Sequence, residues 1–394
     1  METIKVGIIG CGYAGIRFLR TFLLRKKLNL DIEVNAVCDN NPDNLKLPRR
    51  LNIPVYLNIS TMFLNKKYDI IVVTTNERWR FSVLKELLKY KGRFKRIISE
   101  KLLTEKLEQA TYLLKFYEEH EISIHFVERC SLIIVELFEW IQANKLYVRR
   151  ADFFWGKERL FDHRPTIGVI SEMSHPIDAI LTLANQYKHK KFKLINGTYS
   201  FSNYSCLDNY LLETACIQMK IGENLYVCGC SSFLLAERER RISIYLSNNE
   251  DGNISYIARL KFDQPFWNND MYSVYKIKSK LCTKEKMEVV FNKNNTMNKE
   301  NVLTDKMLQF VNVNIDEVRN NNAHQNVFIA RLSQAYFVQE IVDAILLDSN
   351  KRGVQLPNFC ARNKSNNLRD IYEEKMFNVI QNDSMNKNID FKEK

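Results

Sequence analysis

Three glycines and one carboxylate have the types and spacing to do recognisable chemistry. Residues 6–15 read V-G-I-I-G-C-G-Y-A-G, an apolar run that breaks into Gly10, Gly12 and Gly15 before a helix-like stretch from Ile16 to Leu24. In a strand-to-helix turn of this kind Gly10 makes the tight bend and Gly12 lets backbone approach a pyrophosphate. Gly15 lets the helix pack close to the strand. The bare N–H groups at the helix start, around Tyr13 and Ala14, and the positive end of the helix dipole then attract phosphate. A second strand-like run, Ile32 to Val37, ends at Cys38-Asp39. Asp39 lies about 20 residues past the glycines, where a carboxylate binds the ribose hydroxyls of NAD and repels the extra phosphate of NADP. The alternative for Asp39 is a turn residue before Asn40-Asn41-Pro42, and Arg49 and Arg50 keep NADP as the second choice.

These residues need a scaffold, and the first third of the chain supplies one. Asp69 to Thr75 is apolar without alternation, the pattern of a strand buried on both faces. Arg80 to Lys91 reads as a helix, and Ile97-Ile98 as a strand that delivers Ser99-Glu100-Lys101 to its carboxyl end. Glu105 to His120 reads as a helix and Ile122 to Phe126 as one more strand, followed by Arg129. Strands alternating with helices predict a doubly wound parallel sheet, whose ligands bind beyond the carboxyl strand ends. Gly10, Asp39, Thr75 and Lys101 all fall there.

The pattern then changes. A helix from Leu132 to Asn144 and a strand from Tyr147 to Trp155 precede a polar loop, Gly156 to Thr166, and a helix within Gly168 to Leu183. Residues 192–290 read mostly as strands with meander-like turns, which predicts an open, mostly antiparallel sheet. Gln325 to Leu347 reads as an amphipathic helix with Phe328, Leu332, Ala335, Val338, Ile341, Val342 and Ile345 on its inner face. The expected domains are 1–127, an α/β dinucleotide-binding domain of Rossmann type, and 128–357, an α+β domain. A tail, 358–394, rich in Asn, Lys and Asp, is expected to be loosely ordered.

Composition narrows the class. At 394 residues, two domains are the prior, and 45% apolar with 26% charged residues is ordinary for a globular protein. The net charge of +12 is spread along the chain, densest at Lys276, Lys278, Lys280, Lys284 and Lys286, so a diffuse basic surface is expected and no nucleic acid partner. Met1-Glu2-Thr3-Ile4-Lys5 enters a strand at once, without a signal-peptide pattern, and no apolar run reaches a membrane span. The nine cysteines are scattered, and Cys228-x-Cys230, without a His or Cys cluster beside it, reads as a reduced core pair. A cytoplasmic protein without bound metal is the expectation.

At Ile97 to Lys101 and Gly168 to Asp178 the chain resembles the Gfo/Idh/MocA oxidoreductases, the glucose–fructose oxidoreductase and inositol dehydrogenase family, from Ile4 to about Leu356. The family's Glu-Lys-Pro motif stands here as Glu100-Lys101-Leu102, without the proline. Its carboxylate–His–Asp helix motif stands as Glu172, His175 and Asp178, with Ser171 where the family commonly has Asp. Its Thr-Pro-Asn strand end is Thr75-Asn76-Glu77, and its usual following His is Arg80. The resemblance implies a Rossmann domain plus an open-sheet domain, cofactor contacts at Thr75, Asn76, Glu100 and Lys101, and a homo-oligomer, dimer or tetramer.

The same resemblance implies hydride transfer between nicotinamide and a sugar, cyclitol or related polar alcohol or ketone. A hydride leaving a carbinol carbon is matched by a proton leaving its oxygen, which requires an acid/base group within hydrogen-bond reach. Lys101 can serve if burial and a neighbouring cation lower its pKa. A histidine such as His175 needs less tuning. Glu172, one turn before His175, can orient it or relay its proton. Arg159, His163 and Arg164, in the loop upstream of the helix, are candidates to bind a phosphate, a carboxylate or sugar hydroxyls, with Arg129 as a further candidate. An imine reductase and a dinucleotide-binding regulator without turnover are the alternatives.

Overall fold

The computed structural model describes residues 2–27, 31–159, 166–188, 191–202, 211–250, 252–264, 267–278, 287–295, 305–320, 326–349, 354–355 and 368–385. Strand β1 (Ile4–Ile9) runs into helix α1 (Tyr13–Lys27), then β2 (Ile32–Cys38), α2 (Lys46–Arg50), β3 (Val55–Tyr56) and α3 (Ile59–Met62). β4 (Ile70–Val73), α4 (Glu77–Leu87), β5 (Arg96–Glu100), α5 (Leu107–Phe116) and β6 (Ile122–His125) follow. Then come α6 (Leu132–Ala143), β7 (Tyr147–Glu158), α7 (Ile170–Leu183), β8 (Phe192–Ser202), β9 (Leu211–Ile221) and β10 (Leu225–Ser232). β11 (Leu234–Ser247), β12 (Ile254–Lys261), β13 (Asp270–Ile277) and β14 (Met287–Asn295) continue the strands. The chain closes with α8 (Lys306–Asn320), β15 (Ala330–Arg331), α9 (Leu332–Ser349), β16 (Val354–Gln355) and α10 (Leu368–Met385).

Two compact units result. The first contains the described parts of 1–125, 307–333 and 363–394. Its sheet has the order β15-β6-β5-β4-β1-β2-β3, parallel except for the edge strand β15. Every residue of β4 is buried, as expected of a strand covered on both faces. The order reverses at β1, which pairs with both β2 and β4, so the crevice of a doubly wound sheet opens beside the end of β1.

The second unit holds the described parts of 126–306 and 334–362. Its sheet runs β14-β13-β12-β11-β7-β10-β9-β8-β16, antiparallel except at β7–β10 and β8–β16. Every residue of α7 is buried. Among the described residues no helix is long and apolar enough to cross a membrane.

The structure differs from the sequence reading in three places. Residues 307–333, read as part of the second domain, fold with the first. β15 adds an antiparallel edge to β6, and Glu317 of α8 binds Arg96 of β5 and Arg331 of β15. The amphipathic helix starts at Leu332, because residues 326–331 form a turn and that edge strand. The stretch expected as a loose tail carries α10. Tyr372, Met376 and Ile380 recur at helical spacing within its polar composition, and a window average hides so sparse an apolar stripe. Tyr372 donates to the Tyr13 carbonyl at 3.3 Å with the two rings 4.8 Å apart, and Ile380 is buried. Arg50 binds Glu374 at 2.7 Å and lies 3.8 Å over the Phe377 ring.

Removing α10 therefore exposes packed surface. Burial of Ile380 alone is worth about 2 kcal/mol. At about 2–4 °C per kcal/mol for a domain of this size, truncation after residue 362 should lower Tm by roughly 4–8 °C. Differential scanning calorimetry of the full and shortened chains checks this, and equal melting temperatures would show that the helix adds nothing.

Candidate active site

The first unit assembles its site at the carboxyl strand ends. The Gly10 N–H bonds the Cys38 carbonyl at 2.8 Å, and Gly10 has φ +90°, which an L side chain rarely adopts. A Cβ on Gly15 would lie 2.1 Å from the Gly10 carbonyl oxygen, so only glycine fits there. A Cβ on Gly12 would meet nothing within 4 Å, leaving open the side from which a pyrophosphate approaches. Tyr13 and Ala14 begin α1.

Asp39 is buried and tied to this turn. Its Oδ2 accepts from the Cys11 N–H at 2.7 Å and from Asn44 at 3.0 Å, while Oδ1 accepts from the Asn41 N–H at 2.9 Å. These bonds are those of the turn reading of Asp39. It braces the turn, and a carboxylate with about four acceptor sites has one left over.

Thr74 and Thr75 follow β4, the neighbour of β1. The Thr74 hydroxyl bonds the Gly10 carbonyl, whereas the Thr75 Oγ1 is buried without a hydrogen-bond partner. Asn76 caps α4 by accepting from the Arg78 N–H at 3.0 Å. Arg80, standing where the resembling family has His, is buried and donates to the carbonyls of Thr75, at 2.7 Å, and Leu102. It ties the end of β4 to the turn after Lys101, where the Lys101–Leu102 peptide is cis although residue 102 is not proline.

Glu100 ends β5 opposite His125 of β6, and His125 Nδ1 lies 2.9 Å from its Oε1. Burial would raise the Glu100 carboxyl, but His125, Arg17 and Arg80 outweigh it and hold Glu100 well below the usual carboxylate range. His125 is absent from the sequence reading. Its signal is positional, since it ends a strand adjacent and parallel to the one bearing Glu100.

The second unit builds around α7. Glu172 accepts from Lys157 at 2.8 Å and from Arg240 at 3.0 Å. Arg240 also donates to Asp263 at 2.6 Å, and Lys306 reaches Asp263 at 2.9 Å and Glu128 at 2.6 Å. Burial lowers the Lys306 ammonium, but Asp263, Glu128 and Asp270 more than reverse this. Burial, with Asp263 and Asp270 nearby, pushes the Glu128 carboxyl up to about 7 despite Lys306 and Arg240. Arg240, Asp263 and Lys306 lie far apart in sequence and carry no motif, so sequence reasoning misses them.

His175, one turn on from Glu172, is buried with its ring stacked 6.1 Å from Trp155 and edge-on to Phe126 at 6.3 Å. Pro176 lacks the N–H that would bond the Glu172 carbonyl. Arg129, a substrate-binding candidate in the sequence, is 1% exposed and binds Asp178 through two bonds, at 2.8 and 2.6 Å. It also donates to Gln334 at 2.9 Å, and Tyr187 donates to Asp178 from the other side. Such a guanidinium positions Asp178; it is not presented to a ligand. Arg159 is buried 4.8 Å over the Phe233 ring, and His163 and Arg164 lie outside the described residues.

The strand-end site fits a dinucleotide on three counts: the open side of Gly12, the orphaned Thr75 hydroxyl and the remaining acceptor of Asp39. Residues 4–126 match the family described as oxidoreductase family, NAD-binding Rossmann fold, GFO_IDH_MocA. No curated protein matches the chain. Among solved structures, the chain is similar to a UDP-N-acetylglucosamine 3-dehydrogenase, GnnA, from Acidithiobacillus ferrooxidans. They share 15% identity over 89% of this chain and 99% of that one, with a TM-score of 0.66. It is also similar to KijD10, a 3-ketoreductase from Actinomadura kijaniata in complex with TDP-benzene and NADP. There the identity is 12% over 90% of this chain and 100% of that one, with a TM-score of 0.67. At these identities the likeness is one of fold.

The charge on Glu100 has a measurable consequence. Its folded pKa lies below the ordinary 4.5, so its contribution is complete above that value and is lost as pH falls below it. Glu100→Gln should therefore flatten the fall in Tm between about pH 5 and 3. Thermal melts across that range test this, and parallel acid limbs in both proteins would refute it.

Proposed function

With residues 4–126 as the NAD-binding Rossmann fold of a Gfo/Idh/MocA-type, NAD(P)-dependent oxidoreductase, we propose that the protein oxidises or reduces a ring carbon of a nucleotide-linked sugar. The observation that carries this reading is the orphaned Thr75 hydroxyl beside the open Gly12 turn, on the strand adjacent to the one that ends at Glu100-Lys101. The 3-dehydrogenase and the 3-ketoreductase of like fold support the substrate class.

Bound nicotinamide supplies or accepts the hydride, and the chain handles the proton. Lys101, at the end of β5, and His175, in α7, are the groups we assign to hold or move a proton at the substrate oxygen. Glu172, fixed by Lys157 and Arg240, acts as a positioning residue for the α7 turn that carries His175. Glu100, held ionised by His125, Arg17 and Arg80, positions Lys101. The basic run of Arg159, His163 and Arg164 suits a diphosphate. We further propose a cytoplasmic homo-oligomer, dimer or tetramer, whose partner is the small-molecule substrate.

Asp39 sets the expected cofactor preference. NADH should bind at least about tenfold tighter than NADPH, because a carboxylate at the end of β2 accepts from the ribose and repels a 2′-phosphate. Asp39→Ser should narrow that ratio. Fluorescence titration of both cofactors measures it, and preference for NADPH in the unaltered protein would reverse the assignment.

The proton assignment is tested with UDP- and TDP-linked hexoses and their 3-keto forms as substrates. Lys101→Ala and His175→Ala should each lower kcat by about 10²-fold or more. Dinucleotide affinity should hold, because the pyrophosphate site is backbone of Gly10 to Gly15. Full turnover in the double variant would exclude these groups as proton carriers.

A further inference from the structure

The sheet of the second unit holds a thiol cluster that the function above does not use. β9 and β10 are antiparallel neighbours, with Cys216 directly opposite Cys230 and Gln218 opposite Cys228. Side chains alternate across a strand, so all four project from the same side of the sheet. The three thiols are half-buried, unlike Cys11, Cys38 and Cys130, which are buried. The sequence pattern Cys228-x-Cys230 therefore marks one face of a strand, not core, and the partner of Cys230 comes from the neighbouring strand.

Geometry singles out one pair. Residues directly opposite on antiparallel strands have Cα atoms about 4.5–5.5 Å apart. That lies inside the roughly 4.4–6.8 Å span of disulfides. Thr198 stands opposite Cys216 on β8, and the Cys230 thiol donates to the Ser231 carbonyl at 3.9 Å. Cys228 instead has Gln218 Nε2 at 3.9 Å. Among the described residues no group of three or more His, Cys, Asp and Glu is arranged to hold a metal ion.

We propose that Cys216 and Cys230 form a reversible oxidation site that closes to a disulfide between β9 and β10. The neighbouring Cys230 thiol, and to a lesser degree the Thr198 hydroxyl, bring the Cys216 thiol down to about 7 against the effect of burial. Proximity to Cys216, together with burial, pushes Cys230 up. Burial takes Cys38 and Cys130 up to about 12, which leaves them poor nucleophiles. Cys216 is the attacking thiolate and Cys230 the resolving thiol.

With a peroxide as oxidant, the Cys216 sulfur attacks one oxygen, the O–O bond breaks, and the displaced oxygen leaves as hydroxide, which takes a proton to become water. The Cys230 sulfur then attacks the resulting sulfenic acid, forms the S–S bond, gives up its proton and expels the second water. Two thiols lose two protons and two electrons, and one peroxide becomes two waters. A small-molecule thiol reverses the step by exchange.

The test uses the reduced full chain. It is treated with a small excess of hydrogen peroxide, the remaining thiols are alkylated, and the protein is digested without reductant. Chymotrypsin, cutting near Tyr210, Leu211 and Leu212, separates Cys216 from Cys206, and fragment spectra distinguish Cys228 from Cys230. The expected product is a Cys216–Cys230 linked peptide pair that thiol treatment releases. It should persist in Cys228→Ser and vanish in Cys216→Ser and Cys230→Ser. Before oxidation, Cys216 should alkylate about tenfold faster than Cys228 at pH 7. Recovery of Cys216 and Cys230 both alkylated after peroxide, or linkage of either to a different cysteine in the unaltered chain, would overturn the proposal. Mapping in the unaltered chain decides the matter even if a serine variant fails to fold.

Discussion

The first unit hangs on one steric constraint, the closeness of Gly15 to the Gly10 carbonyl. With 2.1 Å between that oxygen and the place a Cβ would occupy, α1 can start against the end of β1 only if residue 15 has no side chain. That approach holds the N-terminus of α1 at the point where the strand order reverses, and the N–H groups of a helix's first turn are suited to an anion. The neighbouring strand ends are then stitched to the turn. Asp39 from β2 takes the Cys11 N–H, Thr74 after β4 takes the Gly10 carbonyl, and Arg80 ties the end of β4 to the turn that follows β5. Thr75 is left with a buried hydroxyl that none of these bonds satisfies, and such a group is a place for a ligand.

Charge plays the corresponding part in the second unit. α7 is buried along its whole length yet carries two carboxylates, and an ionised carboxylate stranded in low dielectric costs several kcal/mol. Cations from distant parts of the chain offset this. Lys157 and Arg240 hold Glu172, and Arg129 holds Asp178 through two bonds from one edge of its guanidinium. Arg240 and Lys306 extend the contacts to Asp263 and Glu128, so the negative charges are spaced by positive ones. The surplus carboxyl falls on Glu128, which burial pushes toward the protonated form. His175 lies one turn on from Glu172, with its ring stacked on Trp155 and edge-on to Phe126.

The dinucleotide turn, the parallel sheet and the two-domain plan were legible in the sequence because each rests on local chemistry. Glycine spacing, unbroken apolar strands and the helical and strand periods are properties of short windows, and they placed Gly10, Asp39, Thr75, Lys101 and His175 on the right elements. What tertiary structure alone decided is which distant groups meet. Residues 307–333 join the first sheet because one short edge strand pairs with β6 and Glu317 finds two arginines. Residues 368–385 become a helix because a sparse apolar stripe finds Tyr13 and Arg50. Arg129 turns inward because Asp178 needs a buried counter-ion, and Cys230 gains its partner from strand register. Pairings of this kind depend on burial and on separations of tens to hundreds of residues, and no pattern within a window encodes them.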